Sequence, residues 1–361
     1  MLQTTRFPRW TVVAPGVAWL LLLGVLLGLG GWVYAVALFA GLLWGVFAGV
    51  HHAEIVAHRV GEPFGTLVLA VAVTIIEVAL IVSLMVAGGE DATGLARDTV
   101  FAAIMIILNA IVGLCLLEGG VLHMEQVFRA DGVRASLTTL VAISVLTLIL
   151  PNYTTSVPGP VYNKAQLVFI AIVSVILYGT FLLVQTVRHK PYFLVEEDAG
   201  CADAHAAPPS TGSALFAAGL LLACLGAVVL LAKALAPALE AVTAAMGAPT
   251  SFVGVIIAAI VLLPEGTAAV RAAHRNRLQT SLNLALGSAL ASIGLTIPAV
   301  ALVSLLTGMP LALGIDMKAT VLFLLSLFVS FLSLGTGRTT ILQGAVLLVI
   351  FGVYVLTAIV P

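Results

Sequence analysis

Charged side chains are scarce in this 361-residue sequence: Asp, Glu, Lys and Arg make up 9% of it, against roughly 25% in an ordinary soluble domain. Hydrophobic residues make up 61%, and several stretches exceed the roughly 18 consecutive apolar residues that are typical of a membrane-spanning helix. The alternating pattern of an outer-membrane β-barrel is absent, and open sheet edges are excluded from lipid. The sequence therefore predicts an all-α, polytopic membrane protein.

Cysteine and net charge are also low, and each of these features excludes a class of function. The three cysteines Cys115, Cys201 and Cys224 match no metal-binding or redox spacing, and we interpret them as small apolar residues and one loop thiol. A formal net charge of −1 gives no electrostatic reason to expect a nucleic-acid partner. The spans contain no Ser/His/Asp or zinc-protease pattern, so we expect neither an enzyme nor a resident cofactor.

The chain contains eleven apolar segments that are long enough to cross a bilayer. Their approximate limits are 13–30, 32–50, 63–87, 99–118, 133–151, 165–187, 213–234, 250–270, 280–307, 318–334 and 339–359. The first follows Arg6 and Arg9 but is longer than the apolar region of a signal peptide, so we expect a retained helix.

The distribution of basic residues predicts the orientation of these spans. With the N-terminus in the cytoplasm, the outside segments hold only four of the fifteen Lys and Arg residues, in the sense that the positive-inside rule requires. These four are Arg97, Lys164, Lys233 and Lys318. An even number of spans would scramble this asymmetry, so we expect eleven helices with the C-terminus outside.

The longest polar stretch, residues 188–212, predicts a solvated cytoplasmic linker. It divides the chain into an N-terminal tail with a first helix (1–31), a five-helix set (32–187) and a second five-helix set (213–361). Because five is odd, equivalent helices of the two sets must run in opposite directions. This is the arrangement of a transporter built from inverted repeats.

Two acidic residues, Glu77 and Glu265, interrupt long apolar segments, whereas nearly all other acids lie in predicted loops or at helix ends. Glu77 follows Pro63 by fourteen residues and Glu265 follows Pro249 by sixteen, which corresponds to about 21–24 Å of helix. The two segments run in opposite directions, so we expect both carboxylates near the bilayer midplane, facing a common cavity. An ionised carboxylate at that depth is unfavourable, so such residues are usually functional, paired or protonated and hydrogen-bonded to a carbonyl.

The residues beside Glu265 predict a local break in its helix. Pro264 precedes it and Gly266 follows it, a combination that would expose backbone carbonyls, which are good ligands for a hard cation. Further oxygen ligands are predicted in neighbouring spans: Asn109 in the fourth, and Asn283, Ser288, Ser292 and Thr296 in the ninth. Their alternative role is ordinary hydrogen bonding between helices. Glu118, near a helix end, is expected to be solvated.

Three histidines, His51, His52 and His58, follow the second span beside Glu54. Histidine titrates near neutral pH, so the cluster would suit a pH sensor. The favoured interpretation is a solvated amphipathic turn on the cytoplasmic face.

Six segments carry a resemblance to a known family: HAEIVAHRVGEPFGTL, EVALIVSLM, YGTFLLVQT, FVGVIIAAIVLLPEG, LNLALGSALASIGLTIP and SLGTGRTTILQGA. They resemble the calcium/proton (CAX) branch of the cation/calcium exchanger superfamily, in particular the bacterial ChaA type of sodium-potassium/proton and calcium/proton antiporters. The resemblance implies one leading helix plus two inverted five-helix repeats, with Glu77 and Glu265 as the ion-binding, proton-exchanging carboxylates. Two departures, the missing Gly-Asn before each Glu and a less acidic linker, leave the ion open.

The predicted mechanism follows from charge. Two ionised carboxylates carry −2, which one Ca²⁺ or two protons would neutralise, so competition for the same oxygens predicts exchange by alternating access. One carboxylate would suffice for a monovalent ion, which keeps Na⁺/H⁺ or K⁺/H⁺ exchange open. A cation channel is disfavoured because channels repeat their filter around an axis.

The expected partners are the transported cations and protons and the lipid of a bacterial inner membrane. Protein partners and homo-oligomerisation stay open at this point, as do the transport stoichiometry and the affinity for the ion.

Overall fold

The computed structural model describes residues 7–61, 64–88, 93–193, 209–249 and 251–360. Most of the predicted linker, residues 194–208, lies outside the described residues, as do Arg6, Pro63 and Cys201. Within the described ranges, the chain is helical apart from its connections and one pair of two-residue strands.

The secondary structure runs as follows in chain order. The elements are α1 (Arg9–Leu26), α2 (Trp32–Val60), α3 (Phe64–Gly88), α4 (Leu95–Met105), a π-helical segment (Ile106–Ile111), α5 (Val112–His123), β1 (Gln126–Val127), α6 (Ala130–Ser144), a π segment (Val145–Ile149), a 3₁₀ turn (Leu150–Tyr153), α7 (Lys164–Leu183), a π segment (Val184–Arg188), a 3₁₀ turn (Lys190–Tyr192), α8 (Thr211–Ala245), α9 (Phe252–His274), α10 (Leu278–Ala291), a π segment (Ser292–Thr296), α11 (Ile297–Thr307), α12 (Met317–Leu334), β2 (Arg338–Thr339) and α13 (Ile341–Ile359).

In the described part of the chain, eleven helical spans are long and apolar enough to cross a membrane, as predicted. The fourth span, Leu95–His123, joins α4 to α5 through a π segment without a break. The ninth span, Leu278–Thr307, joins α10 to α11 in the same way. The predicted all-α polytopic class is therefore confirmed.

Several predicted helix ends are wrong. α2 continues to Val60 instead of ending near residue 50. α1 ends at Leu26 instead of near residue 30, because Gly28 and Gly31 adopt positive φ angles of 81° and 94° and turn the chain. α8 continues to Ala245 instead of ending near residue 234. Lys233 ends the apolar run there, but lysine, alanine and leucine all favour helix, so loss of hydrophobicity does not end the helix. At 35 residues, α8 is about 52 Å long and exceeds the roughly 30 Å of a bilayer core.

The helices form two compact units that cut across the sequence halves. The first unit contains α1, α2, α3 and α8, and the second contains the other helices and both strands. Each unit thus combines helices from before and after the linker. The two units reflect which helices pack together, whereas the predicted repeats are consecutive stretches of the chain. The units therefore do not test the repeats, and the division into repeats stays a prediction.

Glycines on one face of α2 allow close packing in the first unit. Gly41, Gly45 and Gly49 recur every fourth residue along α2. A Cβ on Gly45 would lie 3.0 Å from Val228 Cγ2, and one on Gly49 would lie 3.5 Å from Cys224 Cβ, both on α8. Small residues at this spacing let two membrane helices approach closely, and α2 accordingly packs along α8.

In the second unit, the fourth span and α9 run side by side in the same direction. A Cβ on Gly254, near the start of α9, would lie 2.9 Å from the Thr99 nitrogen. Twelve residues further along both helices, a Cβ on Gly266 would lie 3.1 Å from Ile111 Cδ1. Equal spacing between the two contacts means that the helices are parallel and keep the same level.

A short strand pair closes one end of the second unit. β1 and β2 are antiparallel, with Gln126 opposite Thr339. A Cβ on Gly120, near the end of α5, would lie 2.5 Å from the Ile341 nitrogen at the start of α13. Only glycine leaves room for this contact, so Gly120 fixes how closely α5 approaches α13.

Candidate cation-binding residues

Glu77 lies in the middle of α3 and is the only charged residue of that 25-residue helix. Its side chain is 2% exposed, and Thr74, one turn earlier on the same face, is 7% exposed. The carboxylate is therefore buried within a strongly apolar helix. Burial of an ionisable group in a membrane helix is typical of an ion or proton site, but the role itself stays a prediction. Glu77 belongs to the first unit and Glu265 to the second.

The predicted break beside Glu265 does not occur, since α9 is continuous from Phe252 to His274 with Pro264 inside it. Proline has no N–H, so the Ile260 carbonyl loses its usual helical donor, yet the helix does not need to unwind. Thr267 Oγ1 donates to the Pro264 carbonyl at 2.9 Å, one turn later. This bond does not replace the donor that the Ile260 carbonyl lost, because it reaches the carbonyl of Pro264 itself. Glu265 itself is half-buried.

The parallel packing in the second unit brings Asn109 to the level of Glu265. Ile111 lies against Gly266. Asn109 precedes Ile111 by two residues and Glu265 precedes Gly266 by one, so their Cα atoms differ in depth by only about 1.5 Å. Asn109 and Glu265 therefore lie at nearly the same depth along the two parallel helices.

Asn109 lies in the π segment of the fourth span and is fully buried. Its side-chain nitrogen donates to the Met105 carbonyl at 3.1 Å and to Ser326 Oγ of α12 at 3.0 Å. Its side-chain oxygen, Oδ1, has no hydrogen-bond partner among the described residues. Amide oxygens are ligands for Ca²⁺, so Asn109 Oδ1 can act as the cation ligand that the sequence predicts.

Ser288 and Asn283 occupy different levels of α10. α9 and α10 are antiparallel neighbours joined by a short connection, so Ser288 returns to nearly the depth of Glu265. Asn283 lies one turn nearer the connection and has both amide groups engaged. Gln279 Nε2 donates to its oxygen at 3.0 Å, and its nitrogen donates to the Phe193 carbonyl at 2.6 Å. These bonds are those of a structural amide, and a cation-binding role for either residue stays a prediction.

Two π segments in the fourth and ninth spans were not predicted. Ser292 and Thr296 lie in the segment of the ninth span, and both side chains are buried. π-helical turns are rare and occur often at functional sites. The sequence contains no signal for them, because a π turn results from one inserted residue that neighbouring helices accommodate.

The histidine cluster does not form a solvated turn. All three histidines lie on α2, whose helix continues to Val60. His52 is fully buried, and its Nε2 lies 3.1 Å from the Thr11 carbonyl of α1. His51 Nδ1 lies 3.7 Å from Glu54 Oε2, whereas His58 is exposed. The prediction was wrong for His52, because the face of α2 that carries it packs against α1.

Within the described residues, no group of three or more His, Cys, Asp and Glu side chains could hold a metal ion. A cation bound by a single glutamate of either unit would therefore need hydroxyl, amide or backbone oxygens to complete its coordination. Hard cations accept such ligands readily. Asn109 Oδ1 is one such oxygen in the second unit.

Comparison with known proteins places the chain in a family. The protein family described as "Sodium/calcium exchanger protein" matches residues 30–187 and 216–360 of this chain. The sodium-potassium/proton antiporter ChaA of Escherichia coli (strain K12) is 37% identical over 88% of this chain and 86% of its own length. A protein of Sinorhizobium fredii, y4hA, provisionally named as an ionic transporter, is 53% identical over 89% of this chain and 88% of its own length.

The solved structure of native YfkE has the same fold, with a TM-score of 0.74 at 19% identity, over 98% of this chain and all of that one. A second structure of YfkE names it a Ca²⁺/H⁺ antiporter. The family match covers most of the chain and includes the helices that carry Glu77 and Glu265. This protein is an integral membrane protein and belongs to the sodium/calcium exchanger protein family.

Proposed function

We propose that the protein is a cation/proton antiporter that exports Ca²⁺ in exchange for protons. Membership of the exchanger family supports transport of ions, and ChaA and YfkE are named for exchange of sodium and potassium or of calcium against protons. The observation that carries the proposal is Glu77. This carboxylate is 2% exposed in the middle of a helix with no other charge. Ionisable residues inside membrane helices are rare and mark ion pathways and proton relays.

Charge neutralisation explains why the two ions exchange. Glu77 and Glu265 together carry −2 when ionised, and one Ca²⁺ or two protons would cancel that charge. The doubly ionised, empty state is the unfavourable one in a medium of low dielectric constant. Protons and cation therefore compete for the same carboxylates, and loading of one releases the other. The proposal requires both glutamates to take part in one transport cycle.

Sodium or potassium exchange is the second candidate, and the name of the E. coli relative supports it. A monovalent cation would need one ionised carboxylate, while the other stays protonated. Adding Ca²⁺, Na⁺ and K⁺ separately to reconstituted protein and measuring proton release separates these ions. A channel would instead dissipate a cation gradient without any proton movement.

We also infer that the protein lies in a bacterial inner membrane with its N-terminus in the cytoplasm. Eleven of the fifteen basic residues then lie on the cytoplasmic side. A cysteine introduced at an exposed position near either terminus, labelled in intact cells by a membrane-impermeant reagent, would test this orientation.

The decisive variants are Glu77→Gln and Glu265→Gln, which keep the side-chain shape and remove the exchangeable proton. Each should abolish Ca²⁺-driven proton movement in inverted vesicles. Glu240→Gln is the matched control, because Glu240 is an exposed glutamate near the end of α8. Retained exchange in either of the first two variants would overturn the assignment of the site.

A further inference from the structure

A serine outside every predicted site fixes the orientation of the Asn109 side chain. Ser326 lies on α12 and is fully buried. Its hydroxyl donates to the Leu322 carbonyl at 2.8 Å, so its oxygen accepts the hydrogen bond from Asn109 Nδ2 at 3.0 Å. A hydroxyl has one proton to donate, and the Leu322 carbonyl at 2.8 Å is a stronger acceptor than the Met105 sulfur at 3.6 Å.

The Met105 carbonyl removes the remaining ambiguity about which end of the amide faces α12. Asn109 Nδ2 lies 3.1 Å from this carbonyl. The opposite orientation would place two acceptor oxygens against each other and leave the amide N–H groups without acceptors, which costs free energy. Met105 and Ser326 together therefore hold the NH₂ group, and the oxygen can occupy only the other position.

The consequence is a buried amide oxygen with its lone pairs free. Asn109 is 0% exposed, and among the described residues no donor lies within reach of Oδ1. A buried acceptor without a donor is unfavourable unless something else binds to it. A hard cation is suited to this oxygen, since amide and carbonyl oxygens coordinate Ca²⁺ without adding charge. The depth that Asn109 shares with Glu265 would bring a carboxylate and this oxygen to the same level.

We propose that Ser326 is a positioning residue for cation binding: it holds the Asn109 amide so that Oδ1 serves as a ligand of the transported cation. This inference rests on the proposed antiport function. Ser326 does not contact the ion, and its effect passes entirely through Asn109. Removing the hydroxyl leaves the amide held by the Met105 carbonyl alone, so the cation meets a less firmly oriented ligand while the glutamates remain.

The experiment measures cation-driven proton exchange in proteoliposomes for the wild type and for Ser326→Ala, Asn109→Ala and the double variant. Ser326→Ala should raise the half-saturating cation concentration about fivefold or more, the effect of about one hydrogen bond, and leave the maximal rate nearly unchanged. The double variant should match Asn109→Ala alone, because a residue that acts through another adds nothing once its partner is gone.

The matched control is Ser136→Ala near the start of α6. Ser136 is also buried and donates to the Gly132 carbonyl of its own helix at 3.0 Å, so exchange should stay at the wild-type level. Thermal unfolding of each purified variant checks that the protein is folded. If Ser326→Ala does not assemble, Ser326→Cys fills nearly the same space with a weaker acceptor and should shift the half-saturating concentration in the same direction.

The outcomes separate this inference from the function on which it rests. If the wild type exchanges and depends on Glu77 and Glu265, but Ser326→Ala and Asn109→Ala change only thermal stability, then Oδ1 binds a structural water and the inference is overturned. Additive effects of the two substitutions would overturn it as well. A wild type that moves no protons with any cation would instead overturn the proposed function.

Discussion

Glu118 Oε1 and His274 Nδ1 lie 2.6 Å apart and join the ends of α5 and α9. This pair continues the side-by-side packing that begins where Gly254 meets Thr99. Glu118 was expected to be solvated, and its side chain is 35% exposed, so it lies at the edge of the bundle and still makes a specific contact. An exposed pair of this kind contributes little stability, about 1 kcal/mol or less. The pair shows how α9, the helix that carries Glu265, is aligned along its length with α5.

Calcium affinity should fall as pH falls, because protons occupy the carboxylates that bind the cation. Calorimetric titration of the purified protein with Ca²⁺ at a series of pH values measures this dependence. Glu265→Gln removes one titrating group and should flatten the dependence as well as weaken binding. Affinity that stays constant across the pH series would show that protons and cation use different groups.

Pro264→Ala should stabilise the protein and impair exchange. Alanine restores the N–H that can pair with the Ile260 carbonyl, and proline inside a helix costs up to about 3 kcal/mol relative to alanine. If the freed carbonyl is used during ion binding, pairing it removes that capacity. We expect a higher thermal midpoint together with a lower exchange rate in proteoliposomes.

Pro237→Ala is the control for that substitution, because Pro237 also lies inside a helix, α8, but far along the chain from either glutamate. It should raise the thermal midpoint and leave the exchange rate unchanged. Equal losses of exchange in both proline variants would mean that helix flexibility in general, and not the Ile260 carbonyl, is required.

Gly254→Ala should destabilise the second unit more than Gly266→Ala. The added methyl at residue 254 would meet backbone, 2.9 Å from the Thr99 nitrogen, whereas at residue 266 it would meet the flexible end of Ile111 at 3.1 Å. Overpacking against backbone typically costs about 1–3 kcal/mol. Thermal unfolding in detergent compares the two variants. Gly287→Ala, where nothing lies within 4 Å of the new atom, should be neutral or slightly stabilising.

His52→Leu should loosen the attachment of α1 to α2. The substitution removes the hydrogen bond to the Thr11 carbonyl inside the first unit, which should cost about 1–2 kcal/mol. His58→Leu, at an exposed position of the same helix, should leave the thermal midpoint unchanged. Limited proteolysis near the N-terminus would report the loosening directly, and equal protection of both variants would contradict it.

Much of the fold could be predicted because lipid imposes simple rules. Scarce charge and long apolar runs predict spanning helices, and the basic residues between them predict how many there are. Boundaries failed where hydropathy and helix propensity diverge, as at Lys233 in α8. The break expected at Pro264 failed for a related reason: a membrane helix can leave one carbonyl without its usual donor and continue.

The sequence alone was sufficient for the membrane class and the number of spans. It also singles out Glu77 and Glu265 as candidates, since a carboxylate inside an apolar run stands out by its solvation cost. The π segments, the burial of His52 and the orientation of Asn109 depended on tertiary structure. Each of them is set by a neighbouring helix that is distant in the chain, as Ser326 is from Asn109. Hydropathy describes how a residue interacts with lipid or water, but the direction in which an amide points depends on the partner that packs against it.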